Sequence, residues 1–172
     1  YIVVSVHREE NLDISDNFSN ILDAIDEVSS NNDKQIIFST HPRTRKKLEE
    51  MKRDKNSKIS YIKPLGFFDY IFLQLNAFVT LSDSGTLAEE ASLLKFPSVS
   101  LRNSTERPEA IDSGSLILGS VDKNNIINSI NLALNLKNII EPSDYDSPNC
   151  SEKVIKIIQG YTSIVNSEVW KK

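Results

Sequence analysis

A second cysteine is missing from this 172-residue chain, and with it any internal disulfide. Cys150 stands alone, and a lone thiol reads as a small buried hydrophobe rather than a nucleophile. Nothing in that usage points to an oxidising compartment. No apolar run approaches the roughly 18 to 20 residues that cross a bilayer. Excess positive charge is missing too. Lys and Arg number 20 against 24 Asp and Glu, a net charge of −4, which argues against nucleic acid as a partner. Neither G-x-G-x-x-G nor G-x-x-x-x-G-K-[ST] occurs, which weakens the dinucleotide and P-loop readings. Metal-ligand spacing is also absent, so a metal site made from the two histidines and Glu10 is a minor reading. Finally, no initiator Met, signal peptide or leading helix precedes YIVVSV, a buried-strand pattern at residues 1–6. The expectation is a piece of a longer chain that begins at a domain boundary.

What is present is an ordinary globular composition, 39% apolar and 26% charged, in one domain's worth of residues (1–172). Short β-branched runs predict strands at 1–6, 35–40, 59–62, 77–81, 98–101 and 115–118. Helical patterns lie between them. Phe18, Ile21, Leu22, Ile25 and Val28 keep the 3.6-residue period, with Asp16 or Asn17 as cap. Further helices are predicted at 69–75, 86–94, 124–136 and 151–165, the last capped by Ser151. The densely charged 43–58 stretch reads as the wet face of the second helix. Alternation of this kind predicts an α/β fold: a Rossmann-like, doubly wound parallel sheet with helices on both faces. Ligands of such sheets bind at the carboxyl ends of the strands, so the residues just past each strand carry the functional reading.

Both histidines occupy such places. His7 follows the first strand in His7-Arg8-Glu9-Glu10-Asn11, and His41 follows the second in Thr40-His41-Pro42. Each either bonds a nearby backbone group or faces a ligand; the residues alone leave both readings open. After the fourth strand, Ser82-Asp83-Ser84-Gly85-Thr86 runs straight into a helix. Small residues there let N–H groups at the helix start approach an anion, and the helix dipole adds roughly half a positive charge. Otherwise Ser84 merely caps the helix. Glu90 lies four residues after Thr86 on the same helix face, placed to accept from a ribose diol, while Glu89 points elsewhere into solvent. Arg107 either stays in a surface pair with Glu106 or Glu109 or offers a charged fork to a diphosphate. Pro108 suits the first turn of a short helix. Phe67, Phe68 and Tyr70 follow the third strand, where a base could rest, although two of these three are expected to be packing.

In this order the motifs resemble the C-terminal half of the non-hydrolysing UDP-N-acetylglucosamine 2-epimerase family, which has the two-domain glycosyltransferase-B fold. The carriers are the 7–11 segment, Thr40-His41-Pro42, Pro64-Leu65-Gly66, the run from Ser82 to Ala91, and Ser104-Thr105-Glu106-Arg107-Pro108-Glu109-Ala110. The resemblance covers essentially all of the chain. It implies C2 inversion of a UDP-sugar by elimination and re-addition of UDP, with no cofactor and no metal. It further implies that the proton-transfer acids lie in an N-terminal domain outside this chain, which is itself the UDP-binding domain. Ser84, Gly85 and Thr86 are then expected at phosphate, Glu90 at ribose, Tyr70 or its loop at uracil, and His7 at the reacting sugar and diphosphate. Arg8 and His41 border a region where some members bind a second, activating UDP-sugar. A homodimer of the whole protein, a cytoplasmic location and a part in capsule or other polysaccharide biosynthesis come with the same resemblance.

Two positions depart from the family pattern. Thr86 stands where a second Gly is usual, and Glu9 where an Arg is usual. Both resemble members acting on modified sugars such as UDP-2,3-diacetamido-glucuronate, and Glu9 sets the activator region apart. A glycosyltransferase of the same fold is the competing reaction class, and a non-enzymatic nucleotide-sugar sensor is a third reading.

Overall fold

In the computed structural model, which describes residues 1–31, 33–135, 139–140, 142, 145 and 148–172, β-branched runs become strands and the periodic segments between them helices. In chain order these are β1 (Ile2–Ser5), α1 (Glu9–Leu12), α2 (Ser15–Asn31), β2 (Ile36–Ser39), α3 (Pro42–Glu50), β3 (Ile59–Ile62) and α4 (Phe67–Leu75). There follow β4 (Val79–Ser82), α5 (Leu87–Leu94), β5 (Ser98–Ser100), α6 (Pro108–Asp112), β6 (Ile117–Leu118) and α7 (Lys123–Asn135). The chain divides into two units, Tyr1–Pro142 and Ser143–Lys172. The second carries α8 (Cys150–Ile164) and a π-helical stretch, Val165–Val169.

All six strands are parallel, in the order β3-β2-β1-β4-β5-β6. The doubly wound expectation holds. From β1 the chain winds outward to β3, then crosses to β4 on the other side of β1 and winds outward again, so the switch point lies between β1 and β4. One face is sealed by α2, α3 and α7. Their Phe18, Ile21, Ile25, Leu48 and Ile126 join Ile2, Val4, Ile36 and Phe38 in one cluster. Each such fully buried side chain contributes about 1.5–3 kcal/mol relative to exposure. Right-handed crossovers carry α4, α5 and α6 over the opposite face.

Local chemistry moved several expected boundaries. The second helix from the N-terminus begins at Ser15, so Asp16 and Asn17 lie inside its first turn, and Asn17 Nδ2 donates instead to the Glu10 carbonyl at 3.1 Å. The short α1 was not expected at all. Strand β6 is only two residues long because the Ser115 and Leu116 N–H groups turn back to the Ala110 carbonyl, closing α6. The charged 43–58 stretch is helical only as far as Glu50. Beyond it Arg53, half-buried, donates to Asp23 and Asp26 at 2.8 and 2.7 Å, so it ties α2 down rather than facing water. Asn149, in the left-handed conformation (φ 63°), precedes α8, so Ser151 is not its cap. Cys150 is exposed, not buried. Leu136, the expected end of the 124–136 helix, lies outside the described residues.

Candidate functional site at the carboxyl edge of the sheet

The registers Ser5↔Ser39 and Ser5↔Ser82 bring the ends of β1, β2 and β4 level, so the segments leaving them share one edge. His7 and residues 83–86 flank the switch point itself, the place where open α/β sheets bind ligands. His41 leaves β2 on the other side of β1 from the 84–86 turn.

The 84–86 turn enters α5 with Thr86 already helical (φ −71°, ψ −10°). The Leu87 and Ala88 N–H groups already reach the Ser84 and Gly85 carbonyls, each at 3.4 Å, while the positive end of the helix dipole still favours an anion here. Ser84 Oγ and Thr86 Oγ1 lie 3.1 Å apart, and Thr86 Oγ1 donates to Glu90 Oε1 at 2.7 Å. Gln74 of α4, itself 1% exposed, donates its Nε2 to Glu90 Oε2 at 3.1 Å. The Glu90 carboxylate is thus aimed by two donors before any ligand arrives. Ser84 does not cap its helix: its N–H donates to Ser82 Oγ at 3.1 Å.

Arg107 reaches this turn from the start of α6. Its guanidinium lies against Gly85, where an added Cβ would sit 3.2 Å from Nη1. Nε donates to Glu89, and Glu106 is 3.9 Å from Nη1. Glu89 is therefore not simply solvated: it is the counter-ion that parks Arg107 beside the 84–86 turn. The arrangement is electrostatically coherent. Two carboxylates in the first turn of α5 favour the dipole but would repel an anion, and Arg107 neutralises one of them.

His7 is held by Asp83, the residue that follows β4. Asp83, fully buried, accepts from the His7 N–H at 3.1 Å, the Arg8 N–H at 2.9 Å and Asn11 Nδ2 at 3.1 Å. The His7 ring nitrogen Nδ1 lies 3.2 Å from Asp83 Oδ1, with the side chain 44% exposed. Asn11, also buried, spans from Asp83 to the Leu101 carbonyl and so staples the ends of β1, β4 and β5 together. The available signal was a carboxylate and a histidine just past two strands, but it becomes visible only once β1 and β4 are known to pair.

Arg8 approaches Glu10, its Nε 3.3 Å from Oε1. The same Glu10 oxygen lies 3.5 Å from Nε of Arg102, which leaves β5 almost completely buried. Arg102 donates to both Glu106 oxygens, at 2.8 and 2.7 Å. That bidentate contact, above all, holds the Glu106 carboxyl down at about 2 and raises the guanidinium. His41 is exposed and caps α3, its Nδ1 accepting from the Arg43 N–H at 3.4 Å. Arg43 pairs with Glu9 at 2.6 Å and Asp13 at 2.8 Å, so the acidic residue at position 9 is engaged across α1 and α3.

Of the three aromatics, Phe67 and Phe68 are exposed (68% and 84%) and stack edge-to-face, while Tyr70 turns inward. The expectation that two of the three would be packing is reversed. The Tyr70 hydroxyl is buried without a well-aligned partner among the described residues. Its phenol is pushed up to about 12, chiefly by burial, with the Glu90 and Asp83 charges adding and the nearby Ser5 and Ser82 opposing. Among the described residues no group of three or more His, Cys, Asp or Glu is arranged for a metal ion, and no helix is long and apolar enough to cross a membrane.

This edge has recognisable relatives. The UDP-N-acetylglucosamine 2-epimerase of Methanocaldococcus jannaschii is 37% identical over 162 residues, covering 92% of this chain and 44% of that protein. A Methanococcus maripaludis protein of the same name is 41% identical over 134 residues. The crystal structure of the M. jannaschii enzyme in complex with UDP-GlcNAc and UDP superposes with a TM-score of 0.83 at 36% identity, over 93% of this chain and 45% of that one. The Rickettsia bellii enzyme covers the whole chain with a TM-score of 0.79 at 32% identity. The chain thus spans about half the length, or somewhat less, of the relatives it matches. The sequence pattern that defines the UDP-N-acetylglucosamine 2-epimerases runs from residue 1 to residue 159, through every strand and every edge segment described above, and the chain belongs to that family.

Proposed function

We propose that this chain is the UDP-binding domain of an enzyme that inverts C2 of a UDP-2-acetamido sugar, UDP-N-acetylglucosamine being the substrate the relatives favour. The observation that carries it is the joining, at one switch point, of an anion-sized helix start at residues 84–86, a carboxylate at Glu90 already aimed by Thr86 and Gln74, and His7 across the gap. A nucleoside diphosphate matches that order: phosphates at 84–86 with Arg107 beside them, ribose at Glu90, and the base toward the loop that carries Phe67, Phe68 and Tyr70. The M. jannaschii relative, crystallised with UDP-GlcNAc and UDP, supports the choice of nucleotide.

In the reaction, the C2 proton is removed and UDP departs, leaving a 2-acetamidoglucal; UDP re-adds after protonation on the opposite face. Charge develops on the β-phosphate as the C1–O bond breaks. His7 acts there when both its ring nitrogens carry protons, donating through Nε2 to the departing oxygen. The 84–86 turn holds the phosphates before and after, so it aids binding more than rate. The groups that exchange the C2 proton come from a part of the protein outside this chain. Arg8 and His41 border the second UDP-sugar region, and Arg43 engaged by Glu9 is the difference to test there. The names of the relatives favour the epimerase over the transferase and modified-sugar readings. A cytoplasmic homodimer serving polysaccharide assembly belongs to the same proposal.

Incubating the whole protein with UDP-N-acetylglucosamine in D2O is the decisive experiment. Deuterium at C2 and appearance of the C2 epimer, with no acceptor added, are expected. Turnover that requires an acceptor, with no deuterium at C2, would overturn the reading in favour of transfer.

A further inference from the structure

The contacts of Asp83 do more than satisfy a buried carboxylate. Its oxygens accept from the His7 and Arg8 N–H groups and from Asn11, and its own N–H donates to the Ser5 carbonyl at 3.3 Å, so it cannot shift without opening the β1–β4 edge. With backbone and amide N–H groups donating to both its oxygens, the carboxylate serves as an acceptor here. It faces one nitrogen of the His7 ring, Nδ1, at 3.2 Å. Two acceptors cannot face each other at that distance without cost, so the ring proton belongs on Nδ1. We infer that Asp83 is a positioning residue for His7: it keeps the proton on Nδ1 and leaves Nε2 as the ring atom offered to a ligand. The logic is that of the carboxylate behind the histidine of a serine-protease triad, which fixes tautomer and aim without itself carrying the proton.

The inference rests on the proposed function only for what Nε2 then does. Where the proton resides is a property of this chain and can be read on it directly. In nitrogen-15 NMR of the histidine-labelled chain, with His41→Gln assigning the two rings, the neutral His7 ring is expected to show a protonated Nδ1 and a bare Nε2. A predominant Nε2–H form in the unaltered residue overturns the proposal, and needs no variant of Asp83. Asp83→Asn, where it folds, turns an amide N–H toward Nδ1 and should invert the tautomer; an unchanged tautomer overturns the proposal as well. In the whole protein the same variant should lower kcat on the order of 10²- to 10⁴-fold, with KM within a few-fold. Inversion without loss of kcat removes the positioning role but leaves the deuterium result standing. Absence of C2 exchange in the unaltered protein would remove the epimerase reading and leave the tautomer result untouched.

Discussion

A single carboxylate shows how far one side chain can be read. Helical spacing puts Glu90 one turn below Thr86, and both its oxygens already hold a hydrogen bond, from Thr86 and from Gln74. Such donors orient the carboxylate while leaving lone pairs for a diol. Glu90→Ala in the whole protein should weaken UDP binding by about 1.5–3 kcal/mol, the range for hydrogen bonds to a charged group. Calorimetry with UDP and 2′,3′-dideoxy-UDP checks this. The alanine variant should scarcely distinguish the two nucleotides, and equal binding of both by the unaltered protein would exclude Glu90 from the ribose. Thr86 has a physical role on the same grounds: its hydroxyl links Ser84 to Glu90.

At the scale of elements, the 84–86 turn and α6 act as a pair, because Arg107 lies over Gly85. A methyl group there meets the flexible end of a side chain rather than backbone, so the fold should accept it and the guanidinium should move. Gly85→Ala is therefore expected to melt within a few degrees of the unaltered protein yet lose UDP affinity on the order of tenfold, about 1.4 kcal/mol. A thermal scan paired with a binding isotherm separates the two effects, and unchanged affinity would take Arg107 out of the proposed phosphate site. Strands, the doubly wound parallel class and the carboxyl edge were legible in the sequence because β-branched runs and the 3.6-residue period depend on local pattern, whereas the strand order comes from the structure alone. What stayed hidden depends on neighbours distant in sequence. Asp83 meets His7 across 76 residues, Glu89 meets Arg107 across 18, and the Tyr70 hydroxyl is buried near Ser5 and Ser82 at the ends of β1 and β4. Residue type could not reveal that Phe67 and Phe68 face solvent while Tyr70 does not.

For the molecule as a whole, the decisive quantity is how much of a cleft one domain provides. The unit Tyr1–Pro142 has its own core beneath six strands, with α2, α3 and α7 sealing one face. Its candidate site, in contrast, is a rim: His7 is 44% exposed, and the exposed Phe67 and Phe68 stand at the same edge. A phosphate on a rim keeps much of its hydration, and the charges that grip it act through water at high dielectric. The 172-residue chain by itself should accordingly bind UDP at least about tenfold more weakly than the whole protein, a difference of about 1.4 kcal/mol. It should also leave C2 of UDP-N-acetylglucosamine unexchanged in D2O, because under the proposed function the proton-transfer groups lie elsewhere. Proton NMR on the purified chain reads both quantities in one tube, from UDP line broadening and from the C2–H signal. Loss of that signal, in preparations of the chain but not of its His7→Asn variant, would relocate the proton chemistry onto this edge and make His7 the group that carries it.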